Sequence, residues 1–455
     1  MISFPNIEQF RRSVLKFTST SPEELARLDR NYRSAFEKVR SKVMALNKKR
    51  ATKVASIPAG AGANEIGAPL PEFGNLVLAG GGGKGLVYPS VYLILEQAGF
   101  LGAIKRVAGS SAGALTAAAI AIGADPFEVA SDVREAKYLG MMTGAHGTGK
   151  RKAPTLNVIH TGVDSGQEIY ELFRALYLKA FRVNAARYVD KLLAAVAKGT
   201  VTAKDCREIQ SILAGKSDQL NFAHLHTMHV IDSEKFKDLT ITGSRVCGGT
   251  PGSSFVGIVF EPVYFNASEF PEMEIALAAR ISMSLPNLFK PIVLGGNGYV
   301  DGGVTTNVPV EVFHPGAGTS RDGISGKKMS RRQRIRYDKT LVLVLDSEGE
   351  GEKMLTSREN EGKAGFTAAF GVKDKDVKAD WEKVYRAGKR SVLVLPHGTL
   401  GTASFLLAKA AEITRAQIVA LTSTLEFLEQ AVERRVTRTA ADVPAIRRPN
   451  RLPRS

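Results

Sequence analysis

The sequence reads as an α/β protein with a largely parallel central sheet and helical regions at both ends. Three observations carry that reading. From Asn75 to about His397, short apolar runs of strand character alternate with helical stretches. Glycine-rich turns stand where the first two of those runs hand over to helices. Amphipathic stretches with three- and four-residue spacing lie before and after the alternating region. The chain has 455 residues, 44% apolar and 24% charged, which excludes a wholly disordered or fibrous protein. We divide it into a helical N-terminal region with linker (1–72), a central α/β domain (73–398) and a helical C-terminal region with a basic tail (399–455).

The elements follow in order. Ser21-Pro22-Glu23-Glu24 is a capping box with proline at the first helical position. Leu25, Leu28, Tyr32, Ala35, Val39 and Leu46 then form a narrow stripe that ends near Asn47 and needs a partner helix. Residues 51–72 are small, Gly- and Pro-rich, and read as linker. Asn75–Ala79 is a short buried strand, followed by a glycine loop and a helix over 86–98. Ile104–Ala108 is the second strand, and an Ala-rich helix covers 114–122. Leu239–Thr242, Thr340–Asp346 and Ser391–Leu395 are further strands. A helix over Thr402–Arg435 carries Leu406, Ala410, Ile413, Leu421, Leu425, Leu428 and Val432 on one side. No internal repeat is present.

The net charge of +17 is uneven. Residues 1–72, 321–339 and 434–455 each carry +6, which leaves the rest near neutral. Charge on flanks and one insertion points to an anionic surface rather than a charged site, with a solvated loop and tail as the other reading. Nucleic acid is disfavoured, because the basic runs lack interleaved aromatics and no reading module is present. An anionic bilayer contributes ~1 kcal/mol per basic residue near its surface. Two cysteines, Cys206 and Cys247, exclude a disulfide framework and a Cys-rich zinc module; they read as two buried thiols, with one bridge between them as the alternative. No Sec signal is visible, and the longest uncharged run, Val107–Ala124, is too short and polar for a membrane span.

Three motifs carry chemistry. Gly80-Gly81-Gly82-Gly83-Lys84-Gly85 lies between a strand and a helix. A Walker A loop fails here, because Leu78 stands where its first glycine belongs and Gly85 where its hydroxyl belongs. A dinucleotide fingerprint matches in form, but the next strand lacks the acidic residue at its end. An oxyanion hole of glycine amides and a ligand-free tight turn remain. Gly109-Ser110-Ser111-Ala112-Gly113 is a nucleophile elbow in its proper strand–turn–helix setting, with Ser111 as nucleophile. No histidine is well placed as its base. His314 and His397 lie late enough, and His397 serves only formally. His224, His226 and His229 are closely spaced but show no third-ligand pattern, so surface or packing roles are expected. Asp301, in Tyr299-Val300-Asp301-Gly302-Gly303 at a strand end, fits better, since a carboxylate with a raised pKa takes a serine proton directly.

Together these motifs resemble the patatin-like phospholipase family, whose pattern is a glycine oxyanion loop, an elbow serine and an Asp-Gly-Gly in this order. The resemblance spans at least 75–310, including Ala279–Pro286 and Phe289-Lys290-Pro291. Phe222–His226 and Lys235–Gly243 look closest to bacterial effector phospholipases of the ExoU type. The resemblance implies a patatin-like three-layer fold and a Ser111–Asp301 dyad. It implies oxyanion amides from Gly81, Gly82 and Gly83, with Gly80, Lys84, Gly85, Gly109, Gly113, Gly302 and Gly303 supporting the motifs. It implies no metal, no calcium and no other cofactor. It also implies glycerophospholipid or lysophospholipid substrates, an anionic membrane, and a host activator such as ubiquitin or a small GTPase. Delivery into a host cell by a specialised secretion system is the implied localisation, with the bacterial cytoplasm as the other choice.

Two competing readings stand beside this one. An interaction module would bind a host protein or membrane through its C-terminal region, with hydrolysis secondary. A constitutive bacterial lipase or esterase would need neither bilayer nor activator.

Overall fold

In the computed structural model the described residues are 20–55, 73–135, 165–247, 259–286, 288–313, 339–345, 391–401, 404 and 408–433. The helices are α1 (Pro22–Ala55), α2 (Tyr88–Gln97), α3 (Ala112–Ile122), α4 (Pro126–Glu135), α5 (Gln167–Ala185), α6 (Val189–Ala197), α7 (Ala203–Leu213), α8 (Phe222–Ile231), α9 (Ile275–Ser282) and α10 (Ala410–Glu433). The strands are β1 (Asn75–Leu78), β2 (Arg106–Gly109), β3 (Asp238–Cys247), β4 (Val259–Phe265), β5 (Ile292–Leu294), β6 (Asn297–Asp301), β7 (Thr340–Leu345) and β8 (Val392–Leu395).

At the start of α1 the Glu24 N–H donates to Ser21 Oγ at 3.2 Å, as the capping box requires. The helix runs to Ala55, past the expected start of the linker at 51. Residues 48–55 are Lys, Arg, Ala, Thr and Val, with no glycine or proline to stop the helix. Leu28, Tyr32, Phe36, Val39, Val43 and Leu46 are buried. Their partners are α10 and α2. Tyr32 Oη and Ser90 Oγ share a buried hydrogen bond of 2.9 Å between α1 and α2. Among the described residues the C-terminal helix spans Ala410–Glu433, residues 402–403 and 405–407 of the expected helix lying outside them, and Ile413, Leu421, Leu425 and Leu428 are buried. The terminal helices therefore share one core with the sheet.

The sheet order is β5-β6-β3-β2-β1-β7-β8, with β4 also on β3. The pairs β1–β2, β1–β7, β2–β3 and β7–β8 are parallel. The pairs β3–β4, β3–β6 and β5–β6 are antiparallel. This is a mixed, mostly parallel sheet, and the second strand lies at 106–109 rather than 104–108. The central strands are buried on both faces, as parallel strands are. Leu76, Leu78, Val107, Leu341, Leu343 and Leu345 enter the large core on the helical side. Val77, Ala108, Val342 and Val344 face a smaller core with Val308, Val310 and Phe313.

One feature of the pairing builds the site. Ile241 of β3 pairs with both Gly109 of β2 and Phe265 of β4, so β2 and β4 occupy opposite edges of β3. Gly243 pairs with both Val263 of β4 and Asp301 of β6, so β6 lies on the same edge as β2. The ends of β2 and β6 thus meet head to head, two β3 residues apart, or ~7 Å along the strand.

Both cysteines are free, with Cys206 buried and Cys247 half-buried. No helix among the described residues is long and apolar enough to cross a membrane. The linker from 56 to 72, the basic segments 321–338 and 434–455, Leu406, His146, His160 and His314 lie outside the described residues.

Candidate active site

Beyond β1 the chain turns through glycines that side chains would block. The Ala79 N–H donates to Leu343 O at 3.0 Å and the Gly80 N–H to Asn307 O at 3.0 Å. Gly82 has φ +54°, in the left-handed region that favours glycine, and opens a 3-10 turn over Gly82–Val87. The first donor inside that turn is the Lys84 N–H, to Gly81 O at 3.2 Å. The amides of Gly81, Gly82 and Gly83 therefore precede the helical ladder, where unpaired N–H groups gather. The Gly80 amide is already engaged. Lys84 is half-buried on the same turn, and Gly85 packs beside Ala112.

The elbow follows β2. Ser111 has φ +50° and is the only non-glycine with positive φ among the described residues. A Cβ on Gly113 would overlap the Leu78 carbonyl, and one on Gly109 the Gly113 carbonyl, so the turn admits neither. The Ser111 N–H donates to Ser282 Oγ at 2.9 Å. Ser111 Oγ donates to Asp301 Oδ2 at 2.7 Å.

Asp301 is buried at the end of β6. Its Oδ1 accepts the Gly303 N–H at 2.7 Å, its own N–H donates to Ser284 O at 3.0 Å, and its carbonyl accepts from Ser244 Oγ at 2.8 Å. Gly302 packs so closely on Thr242 that no side chain fits there. Burial pushes the Asp301 carboxyl up to about 7, with the hydrogen bonds from Ser111 and Gly303 opposing the rise.

Ser111 opens onto an apolar cleft of about 890 Å³, its open mouth included. Leu86 and Pro89 line it beside Gly82 and Gly85 of the glycine turn, with Leu115 from α3, Val129 and Val133 from α4, and Leu172, Phe173 and Leu176 from α5. Met283 and Leu285 also line it, and the charged member of the lining, Asp132, is exposed.

The histidines have other neighbours. His397 follows β8, which stands three strands from β2, or ~14 Å across the sheet. His224 accepts the Asn221 N–H at 3.3 Å and bonds Glu208 at 3.2 Å. His226 bonds Asp238 at 2.6 Å, and His229 bonds Phe236 O at 2.9 Å. No group of three His, Cys, Asp or Glu able to hold a metal ion occurs among the described residues.

Ser282, Ser284 and Asn307 also belong to the site, and no motif in the sequence marks them. The first two lie in the Ala279–Pro286 segment, whose composition carries no sign of what it touches. Asn307 meets Gly80 across 227 positions of sequence, with its Nδ2 donating to Gly80 O at 3.4 Å.

Fold and site together define an α/β protein with a hydrolase-type serine elbow against a buried carboxyl. Residues 76–314 match the family model for patatin-like phospholipase, and the chain belongs to that family. It is 27% identical over 270 residues to YqhO, an uncharacterized protein of Bacillus subtilis, covering 58% of this chain and 74% of YqhO. Among solved structures, VipD from Legionella pneumophila has 16% identity and a TM-score of 0.46, over 79% of this chain and 67% of VipD. ExoU, solved with SpcU from the type III secretion system of Pseudomonas aeruginosa, has 22% identity and a TM-score of 0.42. That match covers 80% of this chain, which spans about half the length of ExoU (52%).

Proposed function

We propose that the chain hydrolyses fatty-acyl esters of membrane phospholipids or lysophospholipids with a Ser111–Asp301 dyad. The observation that carries this reading is the 2.7 Å bond to the buried Asp301 carboxylate from the Oγ of Ser111, which lines an apolar cleft. An acyl chain in the cleft would bring its ester carbonyl to Ser111.

Ser111 Oγ attacks that carbonyl carbon as its proton passes to Asp301 Oδ2. A carboxyl held near 7 is a better base than an ordinary aspartate, yet still ionised at neutral pH in a sizeable fraction. Negative charge collects on the carbonyl oxygen, where the amides of Gly81, Gly82 and Gly83 receive it. One such donor contributes ~3 kcal/mol in other hydrolases. The Gly80 and Ser111 amides are bound elsewhere, and the family resemblance supports the three glycines in this role. The ester C–O bond breaks, and the leaving alkoxide takes the proton from Asp301. Water then gives a proton to Asp301 and attacks the acyl-serine; as the acyl C–O bond breaks, Asp301 passes that proton to Ser111 Oγ, which releases the fatty acid and restores both residues.

The basic flanks support an anionic bilayer as the working surface. The likeness of Phe222–His226 and Lys235–Gly243 to effector sequences supports a secreted bacterial effector. A host activator such as ubiquitin or a small GTPase is part of that proposal.

The test is fatty-acid release from anionic phospholipid vesicles by wild type, Ser111→Ala and Asp301→Ala, with and without ubiquitin or host-cell extract. Release by the wild type alone, at least about a thousandfold above either variant, is the expected result. Dependence on the extract marks a regulated effector, and independence a constitutive lipase. Equal release by Ser111→Ala would end the dyad reading.

A further inference from the structure

We infer that Ser282 is a positioning residue for Ser111, and that the Ser282–Leu285 backbone ties the apolar cleft to the spacing between Ser111 and Asp301. The inference rests on the hydrolase reading above and goes further into the same site.

Two partners of the site sit two residues apart on one short segment. Ser282 Oγ, buried at the end of α9, accepts the Ser111 N–H at 2.9 Å. Ser284 O accepts the Asp301 N–H at 3.0 Å. The residues between and after them, Met283 and Leu285, line the cleft. One short segment thus holds the backbone amides of both reacting residues through its even positions and meets the acyl site through its odd ones.

The segment is itself firmly held. The Met283 N–H donates to Ala279 O at 3.1 Å, and the Ser284 N–H to Ile281 O at 2.9 Å. The buried Arg280 guanidinium donates to Ser284 Oγ and to Ser165 O, just ahead of α5. It also lies 4.7 Å from the Phe289 ring centroid. Arg280 therefore joins the bracket to the helix that supplies Leu172, Phe173 and Leu176 to the cleft.

Ser111 needs such a bracket because its φ of +50° is unfavourable for a side chain. A strained backbone persists only where its surroundings over-determine it. Without Ser282 Oγ the Ser111 N–H is buried with no acceptor. Rotation of the peptide between Ser110 and Ser111 relieves that loss and swings Ser111 Oγ away from Asp301.

The test uses the whole 455-residue chain with soluble p-nitrophenyl butyrate and decanoate. For Ser282→Ala, kcat should fall about 10- to 100-fold on both esters with KM unchanged, the loss expected for one unsatisfied buried donor. Ser282→Thr keeps the acceptor oxygen and should recover part of kcat. Met283→Ala, the neighbouring position, should instead raise KM for decanoate more than for butyrate. Wild-type kcat in a folded Ser282→Ala protein overturns the inference. So does a kcat loss that Ser282→Thr does not recover at all. Hydrolysis by Ser111→Ala equal to wild type overturns the hydrolase reading as well, which separates the two failures.

Discussion

At Asp301 two opposing effects meet, and burial outweighs hydrogen bonding. The carboxyl has an ordinary value of 3.8 and is raised to about 7 in the fold. Activity that needs the ionised form should rise with pH through about 7 and level off above it, as measured by kcat against a soluble ester. The stability consequence has the opposite sign. Below 3.8 the group is protonated whether the chain is folded or not, and burial costs nothing. Between 3.8 and 7 the unfolded chain ionises while the folded one holds its proton, so stability falls as pH rises. Above 7 the full cost stands, on the order of 4 kcal/mol. Asp301→Asn removes the ionisation while keeping the shape. It should melt above wild type at pH 8, match it near pH 4, and be inactive at both. A wild-type melting temperature for Asp301→Asn at pH 8 would contradict the raised carboxyl.

At the scale of elements, what was legible depended on distance along the chain. The capping box of α1, the glycine turn after β1 and the elbow after β2 are written in adjacent residues, and their positions follow from turn sterics and capping alone. Strands β1 and β7 are continuous apolar runs for the same local reason. The meeting of β2 with β6 on one edge of β3 brings together residues almost two hundred positions apart. No local pattern encodes it. The same holds for the Ser282 contact with Ser111. The narrow stripe on α1 announces that a partner is needed but not which, and the partners are α2 and, from the other end of the chain, α10. Because α10 enters the common core, the terminal helices should not unfold on their own. Leu425 is buried there, and Leu425→Ala should cost about 2–5 kcal/mol. Denaturation followed by circular dichroism and by esterase activity should shift together in that variant. Activity persisting after the helical signal is lost would show α10 to be dispensable.

For the whole molecule the charge distribution sets the partner class. Much of the excess basic charge lies in the flanks and the 321–339 segment, outside the three motifs that carry the chemistry. If those segments hold the protein on an anionic bilayer, salt should release it, since exposed charges are screened within about 8 Å at physiological ionic strength. Vesicle co-sedimentation of Ser111→Ala should weaken severalfold between low and high salt. Hydrolysis of a soluble ester by the wild type should change little over the same range. Salt-insensitive binding would assign the bilayer contact to apolar groups instead.

The most direct measurement is covalent trapping of the nucleophile with a fluorophosphonate, read by peptide mass mapping. The account requires a single adduct on Ser111, forming much more slowly in Asp301→Asn. An adduct on another residue, or none in a preparation that still releases fatty acid, would contradict it.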